Sequence, residues 1–313
     1  MKMFSKVITV CLNPSLDVTV WIKELDFEEP CTAQREEIYP GGKGINVARV
    51  LTMLNVPVKA YCLAGQDNLE MLKTLLVQEQ VAAELFPVKS AIRENMTLVL
   101  KDGRVLKINR AGPTLKLTDL DQIYHCIKQS INDDTILVFA GSLPPGIEKS
   151  VYRDFIMQFR RQNIRVVIDT GVFEWEDYQQ IKPFMIKPNR VELEKIFHTV
   201  MPQKSDLEQA ALKLAEDIQH VLVSLGKDGL LYAGNQQIKY ISVPEVEMKS
   251  TVGAGDTTLA GFLAKLLEAY SLEQALCFAA AAGTASVCCD GTEIPKLSDI
   301  DQIQKQVQCI TIS

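Results

Sequence analysis

Short runs of aliphatic and β-branched residues recur along the chain with few polar interruptions, at Val7–Leu12, Val58–Leu63, Ile136–Ala140, Val166–Asp169, Phe184–Lys187 and Val221–Ser224. A strand that is apolar on consecutive positions, not alternate ones, is covered on both faces, so these runs predict buried strands. Between most of them the apolar positions recur with helical spacing, which predicts helices at Ile45–Leu54, Leu69–Gln80, Leu120–Ile131, Lys149–Gln162 and Asp206–Ile218. Strand and helix in alternation imply right-handed βαβ units. The expected architecture is therefore α/β, with a mostly parallel central sheet between two layers of helices.

Two segments break the alternation. Asp17–Tyr39 is one; in the other, Met96–Leu100 and Arg104–Ile108 flank the turn Lys101-Asp102-Gly103. Asp-Gly between two short apolar runs is a hairpin signal. Lid segments at about 17–39 and 92–110 are thus expected to form a small second sheet outside the main one. The C-terminal part turns helical, at Ala254–Tyr270, Leu272–Cys289 and Asp299–Gln308, and the alanines and glycine of Ala275–Ala285 allow close approach of a neighbouring helix or a flat ligand. With no internal repeat and no low-complexity linker, residues 1–313 are expected to form one domain carrying the lid as an excursion.

A chain of 313 residues, 47% hydrophobic and 23% charged, is long enough for a large core and ordinary for a globular protein. The formal charge of -6, with no basic block, argues against a nucleic-acid partner, whose binding rests on neutralising phosphates. The eight cysteines show no CxxC spacing and read as reduced, mostly buried small hydrophobes. The segment Met1–Leu12 has an apolar run too short for a signal-peptide core, and Leu276–Cys289 falls below the roughly 20 residues that cross a bilayer. The expectation is a cytoplasmic protein without a membrane span.

The candidate chemistry lies in turns. Lys249–Thr258 is a small-residue turn opening into a helix, and the amides of Gly253, Ala254 and Gly255 at such a start form an anion hole backed by the helix dipole. Asp256, in the first turn, is placed to accept a proton from an attacking hydroxyl; the plain alternative is a capping aspartate. A second turn, Pro40-Gly41-Gly42-Lys43-Gly44-Ile45-Asn46, matches neither the P-loop nor the dinucleotide-binding spacing, but its glycines permit close backbone approach and Asn46 can bond sugar hydroxyls. Asp17, just past a strand end, could hold a pair of hydroxyls or be a turn residue. Asn189 and Glu192, three apart after a strand, offer oxygen ligands suited to Mg²⁺ or simply a helix cap. Ser224–Gly229 alone says hairpin turn.

In their order and spacing these segments resemble the ribokinase-like (PfkB) carbohydrate kinase family, from about Val7 to Thr292. Within it, Thr9–Asp17, Gly41–Leu51, Gly141–Gly146, Lys187–Leu193, Ser224–Gly229 and Ser250–Leu263 are most similar to the branch of 1-phosphofructokinases and tagatose-6-phosphate kinases. The resemblance implies a ribokinase-like fold, with phosphoryl transfer from ATP, assisted by Mg²⁺, to a hydroxyl of a hexose phosphate. It implies Asp256 as base; Gly253, Ala254 and Gly255 as anion hole; and Asn189 and Glu192 near Mg²⁺. Lys187, Ser224, Gly226 and Gly229 would face the nucleotide, and Asp17, Gly41, Gly42 and Asn46 the sugar hydroxyls. Arg93, with Ser142 and Lys43 close by, would meet the sugar's existing phosphate.

Three departures from the family pattern bear on the acceptor. The lid reads Glu28-Glu29-Pro30-Cys31-Thr32 where this branch usually carries a basic pair; Asp169-Thr170-Gly171 lacks the usual serine; and Ala140 replaces the serine before Gly141-Ser142. Lys43, Arg93, Lys107 and Arg110 remain as phosphate-holding cations. The alternatives are a kinase of an unphosphorylated sugar or nucleoside, favoured by Glu28–Glu29, and a sugar-phosphate sensor without catalysis, disfavoured by the intact Gly253–Asp256 turn and Glu192. Exposed lid strands need a cover, so a homodimer through the lid is expected.

Overall fold

The computed structural model describes residues 4–162 and 164–312. The first part of the chain carries β1 (Lys6–Cys11), β2 (Ser15–Ile22), β3 (Ala33–Gly41), α1 (Lys43–Met53), β4 (Val58–Gly65), α2 (Leu69–Gln78), β5 (Ala83–Val88), β6 (Arg93–Leu100) and β7 (Val105–Ile108). Then follow α3 (Leu117–Ser130), β8 (Thr135–Ala140), α4 (Lys149–Arg160), β9 (Arg165–Asp169), α5 (Trp175–Ile181), β10 (Met185–Ile186), α6 (Arg190–Ile196) and α7 (Lys204–Ala215). The remainder is β11 (His220–Ser224), β12 (Leu230–Gly234), β13 (Gln237–Ser242), α8 (Ala254–Leu267), α9 (Leu272–Val287), α10 (Leu297–Gln304) and β14 (Gln308–Ile312). Of the expected N-terminal segment, Met1–Met3 lie outside the described residues.

Ten strands form the main sheet, in the order β14-β13-β12-β11-β10-β9-β8-β1-β4-β5. From β11 to β5 every pairing is parallel, and the sheet is extended at one edge by the antiparallel β12, β13 and β14. All six apolar runs are strands of the parallel part, as their two-sided hydrophobicity requires. Along β8, Leu137 and Phe139 join a core with Ile123, Phe155 and Leu214 from α3, α4 and α7. Their neighbours Ile136 and Val138 join a core on the other face with Val47, Phe262 and Ala279 from α1, α8 and α9. The period-two alternation of a strand thus feeds two separate cores, one per helical layer. At the antiparallel edge β13 and β14 carry no sequence signal of this kind because they are partly exposed, whereas β12 is buried throughout and is a strand the sequence reading missed.

The two interrupting segments form a separate four-stranded sheet in the order β3-β2-β6-β7. β2 pairs antiparallel with β3 and parallel with β6, while β6 and β7 make the expected hairpin around Gly103, whose φ is 84°. The small residues of α9 receive α8: a Cβ on Gly261 would come to 3.1 Å from the Ala282 methyl, and one on Gly283 would overlap Thr258. A neighbouring helix, not a ligand, is what that stripe accommodates. No disulfide joins the cysteines, as expected, but only Cys11 and Cys62 are buried and Cys31 is exposed, because the others lie on half-covered helix faces, a strand at the sheet edge or the lid loop. No helix among the described residues is long and apolar enough to cross a membrane.

His220, on β11, is packed against the rings of Phe184 and Phe262 with Nδ1 2.9 Å from the Tyr232 hydroxyl. Burial pushes its pKa down to about 4, so the folded chain holds it neutral. Below its ordinary pKa of about 6.5 the unfolded chain binds the proton and the folded chain does not, so stability falls with pH through the window from 6.5 to 4. Between pH 7.5 and 5, urea unfolding should show wild type losing about 2 kcal/mol relative to His220→Gln. Identical pH dependence in the two proteins would remove this assignment.

Candidate active site

Asn13, Ser142, Asp169, Lys187 and Ser224 stand at or just beyond the C-terminal ends of β1, β8, β9, β10 and β11. Parallel pairing sets these ends side by side, at the edge where open α/β sheets take ligands. Onto this edge two helices open from glycines with positive φ, α1 from Gly42 (101°) and α8 from Gly253 (78°). At Gly253 a Cβ would meet nothing within 4 Å, so there is open space beside the first turn of α8, whose amides have no partner within the helix.

Asp256 is buried in that first turn and does not cap its own helix. Its Oδ2 accepts from Nδ2 of Asn46, 210 residues away in sequence, at 2.8 Å. Burial above all, then the charge of Asp169, pushes the Asp256 carboxyl up to about 7, against the opposing pull of Lys43, Asn46 and Lys187. One turn further along α1, the buried Arg49 donates to Asn46 Oδ1 at 3.5 Å, to the Pro40 carbonyl at 3.3 Å and to the Thr292 carbonyl at 3.0 Å, and pairs with Glu79. The Asn46 amide therefore lies between a guanidinium and a carboxylate, which orients its oxygen to one and its NH₂ to the other.

Asp169 has a side chain wholly out of solvent. Its Oδ1 accepts from Lys43 Nζ at 2.8 Å and its Oδ2 lies 3.3 Å from Lys187 Nζ. Burial works against its charge, yet Lys187 and Lys43 outweigh that and hold the carboxyl below its ordinary value. For Lys43 burial likewise opposes the charge, and Asp169, Asp256 and Glu192 together push its pKa up. Lys187 Nζ would come 2.9 Å from a Cβ on Gly255, so the absent side chain is what lets this ammonium reach the start of α8.

On the lid side, Asp17 Oδ1 accepts from Ser15 Oγ at 2.8 Å and from Asn95 Nδ2 at 3.0 Å, and a Cβ on Gly41 would overlap the carboxylate. Beside it is a cleft of about 500 Å³ whose polar lining includes Asn13, Arg93, Asn109, Arg110 and Ser142. Arg93 spends its outer nitrogens on the carbonyls of Asn13 (3.0 Å) and Arg110 (3.2 Å), while its buried Nε has no partner. Asn13 Nδ2 donates to Ser142 Oγ at 3.2 Å, closing the wall.

Asn189 and Glu192 form a reciprocal capping box on α6: Glu192 N donates to Asn189 Oδ1 at 2.9 Å, and Asn189 N to Glu192 Oε2 at 2.8 Å. The Asn189 oxygen thus spends one lone pair on the cap, and Glu192 Oε1 points toward Lys43 Nζ at 3.7 Å. No group of three or more His, Cys, Asp or Glu among the described residues could hold a metal ion. Mg²⁺ asks for less, one or two oxygen contacts with waters between, and the half-exposed Glu192 fits that demand. At the far end, Ser224 N donates to the Pro188 carbonyl at 2.9 Å, and Ser224 Oγ is buried without a partner. Gly226 faces open space, whereas Gly229 has φ 85° and a Cβ there would strike the Ile241 carbonyl, so its glycine serves the β11–β12 hairpin.

The residues singled out in the sequence therefore form two groups on one edge: Asp17, Gly41, Asn46, Arg93 and Ser142 toward the lid, and Lys187, Asn189, Ser224 and Gly226 toward the antiparallel strands. Lys43, Asp169 and Asp256 lie between. Sequence reasoning missed Asp169, Asn13, Asn95 and Arg49 as site residues. Strand alternation could have found Asn95, two residues from Arg93, and helical spacing Arg49, three from Asn46; Asp169 was visible as the last residue of a strand and as the first of Asp169-Thr170-Gly171, without a role.

A family model described as pfkB family carbohydrate kinase matches residues 13–299. The chain belongs to that family. Among pfkB relatives, a 1-phosphofructokinase of Bacillus subtilis (strain 168) is 34% identical over 91% of this chain and 94% of that protein. A tagatose-6-phosphate kinase of Staphylococcus epidermidis is 26% identical over 98% of this chain and 100% of that protein. In fold, the chain is similar to phosphofructokinase-2 from Escherichia coli, solved in complex with fructose-6-phosphate, with a TM-score of 0.89 and 28% identity over 97% of this chain and 99% of that one. The ribokinase-like fold and the membership in a kinase family expected from the motifs are both borne out.

A buried carboxyl whose pKa rises on folding takes up protons more readily in the folded chain, so Asp256 costs stability progressively from pH 3.8 to about 7 and the full cost persists above. Asp256→Asn keeps the shape and removes the charge. At pH 8 it should melt several degrees above wild type by calorimetry, and the advantage should vanish below pH 4. An unchanged or lower melting temperature at pH 8 would show that the carboxylate is accommodated without strain.

Proposed function

We propose that this pfkB kinase transfers the γ-phosphoryl group of ATP to a free hydroxyl of a hexose phosphate, in the manner of a 1-phosphofructokinase or a tagatose-6-phosphate kinase. One observation carries the reading: a buried carboxyl with a pKa near 7 sits in the first turn of a helix that opens from a glycine with free space beside it, on the sheet edge that also carries a cleft holding an arginine without a carboxylate partner among the described residues. The relatives' names point to the same acceptor class. The whole chain, 1–313, acts as one kinase domain with the lid inserted at 17–39 and 92–110.

The sugar lies between lid and sheet edge, with hydroxyls on Asp17, Asn46 and the backbone of Gly41 and Gly42, and its resident phosphate against Arg93, Ser142 and Lys43. The acceptor oxygen attacks the γ-phosphorus while the bond to the β–γ bridging oxygen breaks, ADP leaves, and the hydroxyl proton passes to Asp256. Asn46 aims the carboxylate, and the amides of Gly253, Ala254 and Gly255 with Lys187 receive the charge developing on the phosphoryl oxygens. Ser224, Gly226 and Gly229 border the nucleotide. Glu192, with Asn189 beside it, would hold Mg²⁺, which would supply neutralisation of the nucleotide phosphates. The reaction runs in the cytoplasm, where ATP and sugar phosphates are found, and the uncovered lid face, with Leu106 and Ile108 exposed, is closed by a second copy of the chain.

An ADP-release screen over fructose 1-phosphate, fructose 6-phosphate, tagatose 6-phosphate and the free sugars decides the acceptor class. Turnover of a hexose phosphate is expected, with kcat falling below pH 7 as Asp256 takes a proton, and with Asp256→Asn slower by roughly 10²–10⁴. Arg93→Ala should raise KM for the phosphosugar roughly ten- to hundredfold. Turnover of free sugars alone, indifferent to Arg93→Ala, would select the unphosphorylated acceptor, and no ADP from any compound would select a sensor. Light scattering at micromolar concentration is expected to give twice the chain mass; a single chain mass would discard the lid dimer.

A further inference from the structure

The lid presents different chemistry on its two faces. Ser15, Asp17 and Thr19 on β2 and Arg93, Asn95 and Thr97 on β6 alternate in sequence and pair in register, so all six project from one face, the one that carries the Asp17–Asn95 contact. Lys107, on the outermost strand β7, is directly opposite Thr97 and shares that face. Its Nζ crosses to the main body and donates to Thr251 Oγ1 at 3.2 Å, two residues before the glycine from which α8 opens. The sequence reading placed Lys107 with Arg93 on the acceptor's resident phosphate. Four residues along β6 separate Arg93 from Thr97, roughly 13 Å of strand, so the two cations serve opposite ends of the cleft.

Three other cations of the lid have carboxylate partners: Arg35 has Glu37, Arg104 has Asp102 and Arg110 has Glu94. Lys107 has a hydroxyl, and only loss of water acts on its charge, with no carboxylate to offset it. Thr251 precedes α8, whose N-terminus is the positive end of a helix dipole and already has Lys187 beside Gly255. Lys187 is neutralised by Asp169 and Lys107 by nothing among the described residues. Like charges gathered around open space at Gly253 are reconciled by an anion between them.

We propose that Lys107 is a clamp carried by the lid, whose ammonium meets the phosphoryl group in transfer from the side opposite the first turn of α8, with Thr251 holding the side chain in readiness. This rests on the phosphoryl-transfer reading given above and adds to it a residue outside the turns that carry the family resemblance. It also gives the lid a part in the chemical step: a closed lid supplies a charge that an open one does not. The cation comes from the same chain as the rest of the site, on a lid whose other loop is acidic at Glu28–Glu29.

The test compares wild type with Lys107→Gln and Lys107→Arg. ADP with aluminium fluoride imitates the phosphoryl group in transfer and needs no identified acceptor, so its binding is titrated calorimetrically against that of ADP alone. Lys107→Gln should lose roughly tenfold or more in affinity for the fluoride complex, with ADP affinity unchanged and Lys107→Arg close to wild type. In turnover the same variant should lose kcat with KM for the hexose phosphate unchanged. Equal fluoride-complex affinity in wild type and Lys107→Gln overturns the clamp, as does a rise in hexose-phosphate KM with kcat intact, which would return Lys107 to the resident phosphate. Failure of the hexose-phosphate reading shows elsewhere, as wild type releasing no ADP with any hexose phosphate.

Discussion

A carboxylate removed from water is tolerated only when cations replace the solvent, and Asp169 meets that condition with two. Lys43 comes from the first residue of α1 and Lys187 from the end of β10, so a single buried charge fastens a helix of one layer and two strands of the sheet to a common point. The consequence is that two ammonium groups stand at the sheet edge before any ligand arrives. One reaches the start of α8 across Gly255; the other lies between Asp169 and Glu192. Their positions are set by the folding of the sheet edge, so no reorganisation is left for the chemical step, which is the property electrostatic stabilisation of a transferred phosphoryl group requires.

The same centre explains the two carboxyls of opposite character. Asp169 and Asp256 are both buried, but Asp169 has a lysine on each oxygen and stays ionised, whereas Asp256 has an amide and feels Asp169 as a like charge. Paired environments that push two carboxyls apart in pKa separate a structural anion from a proton acceptor. Asn46 transmits this arrangement to α1, and Arg49 behind it ties the amide to the carbonyl of Pro40, where β3 returns from the lid, and to Thr292. Lid position and base orientation are thereby mechanically linked through one guanidinium.

The lid itself follows from strand alternation. Its polar face looks onto the cleft, while Val18, Leu98 and Leu100 of the opposite face gather into a small cluster of their own and Leu106 and Ile108 remain exposed. A four-stranded sheet with one wet, chemically equipped face and one apolar face can close over a sugar and still offer a surface for assembly.

Six apolar runs and their helical intervals contained six of the seven parallel strands, because a strand buried on both faces must be apolar throughout and that demand is local; β5, a half-buried edge strand, lacks the pattern. The glycine turns, the lid hairpin and Asp256 were legible for the same reason: positive φ, tight turns and helix starts are written in neighbouring residues. Of the antiparallel strands, β13 and β14 have no such signature because they are partly exposed, whereas β12 is buried throughout and was missed. Asp169 with its two lysines, Asn46 with Asp256, and Lys107 with Thr251 were not legible either. These partners are separated by as many as 210 residues, and whether a charged side chain is buried, paired or left without a counter-ion depends on which strand ends and helix starts are brought to one edge. Residue types set what each group can do; three-dimensional neighbours set its charge state and its aim, because desolvation and Coulomb attraction act through space and not along the chain.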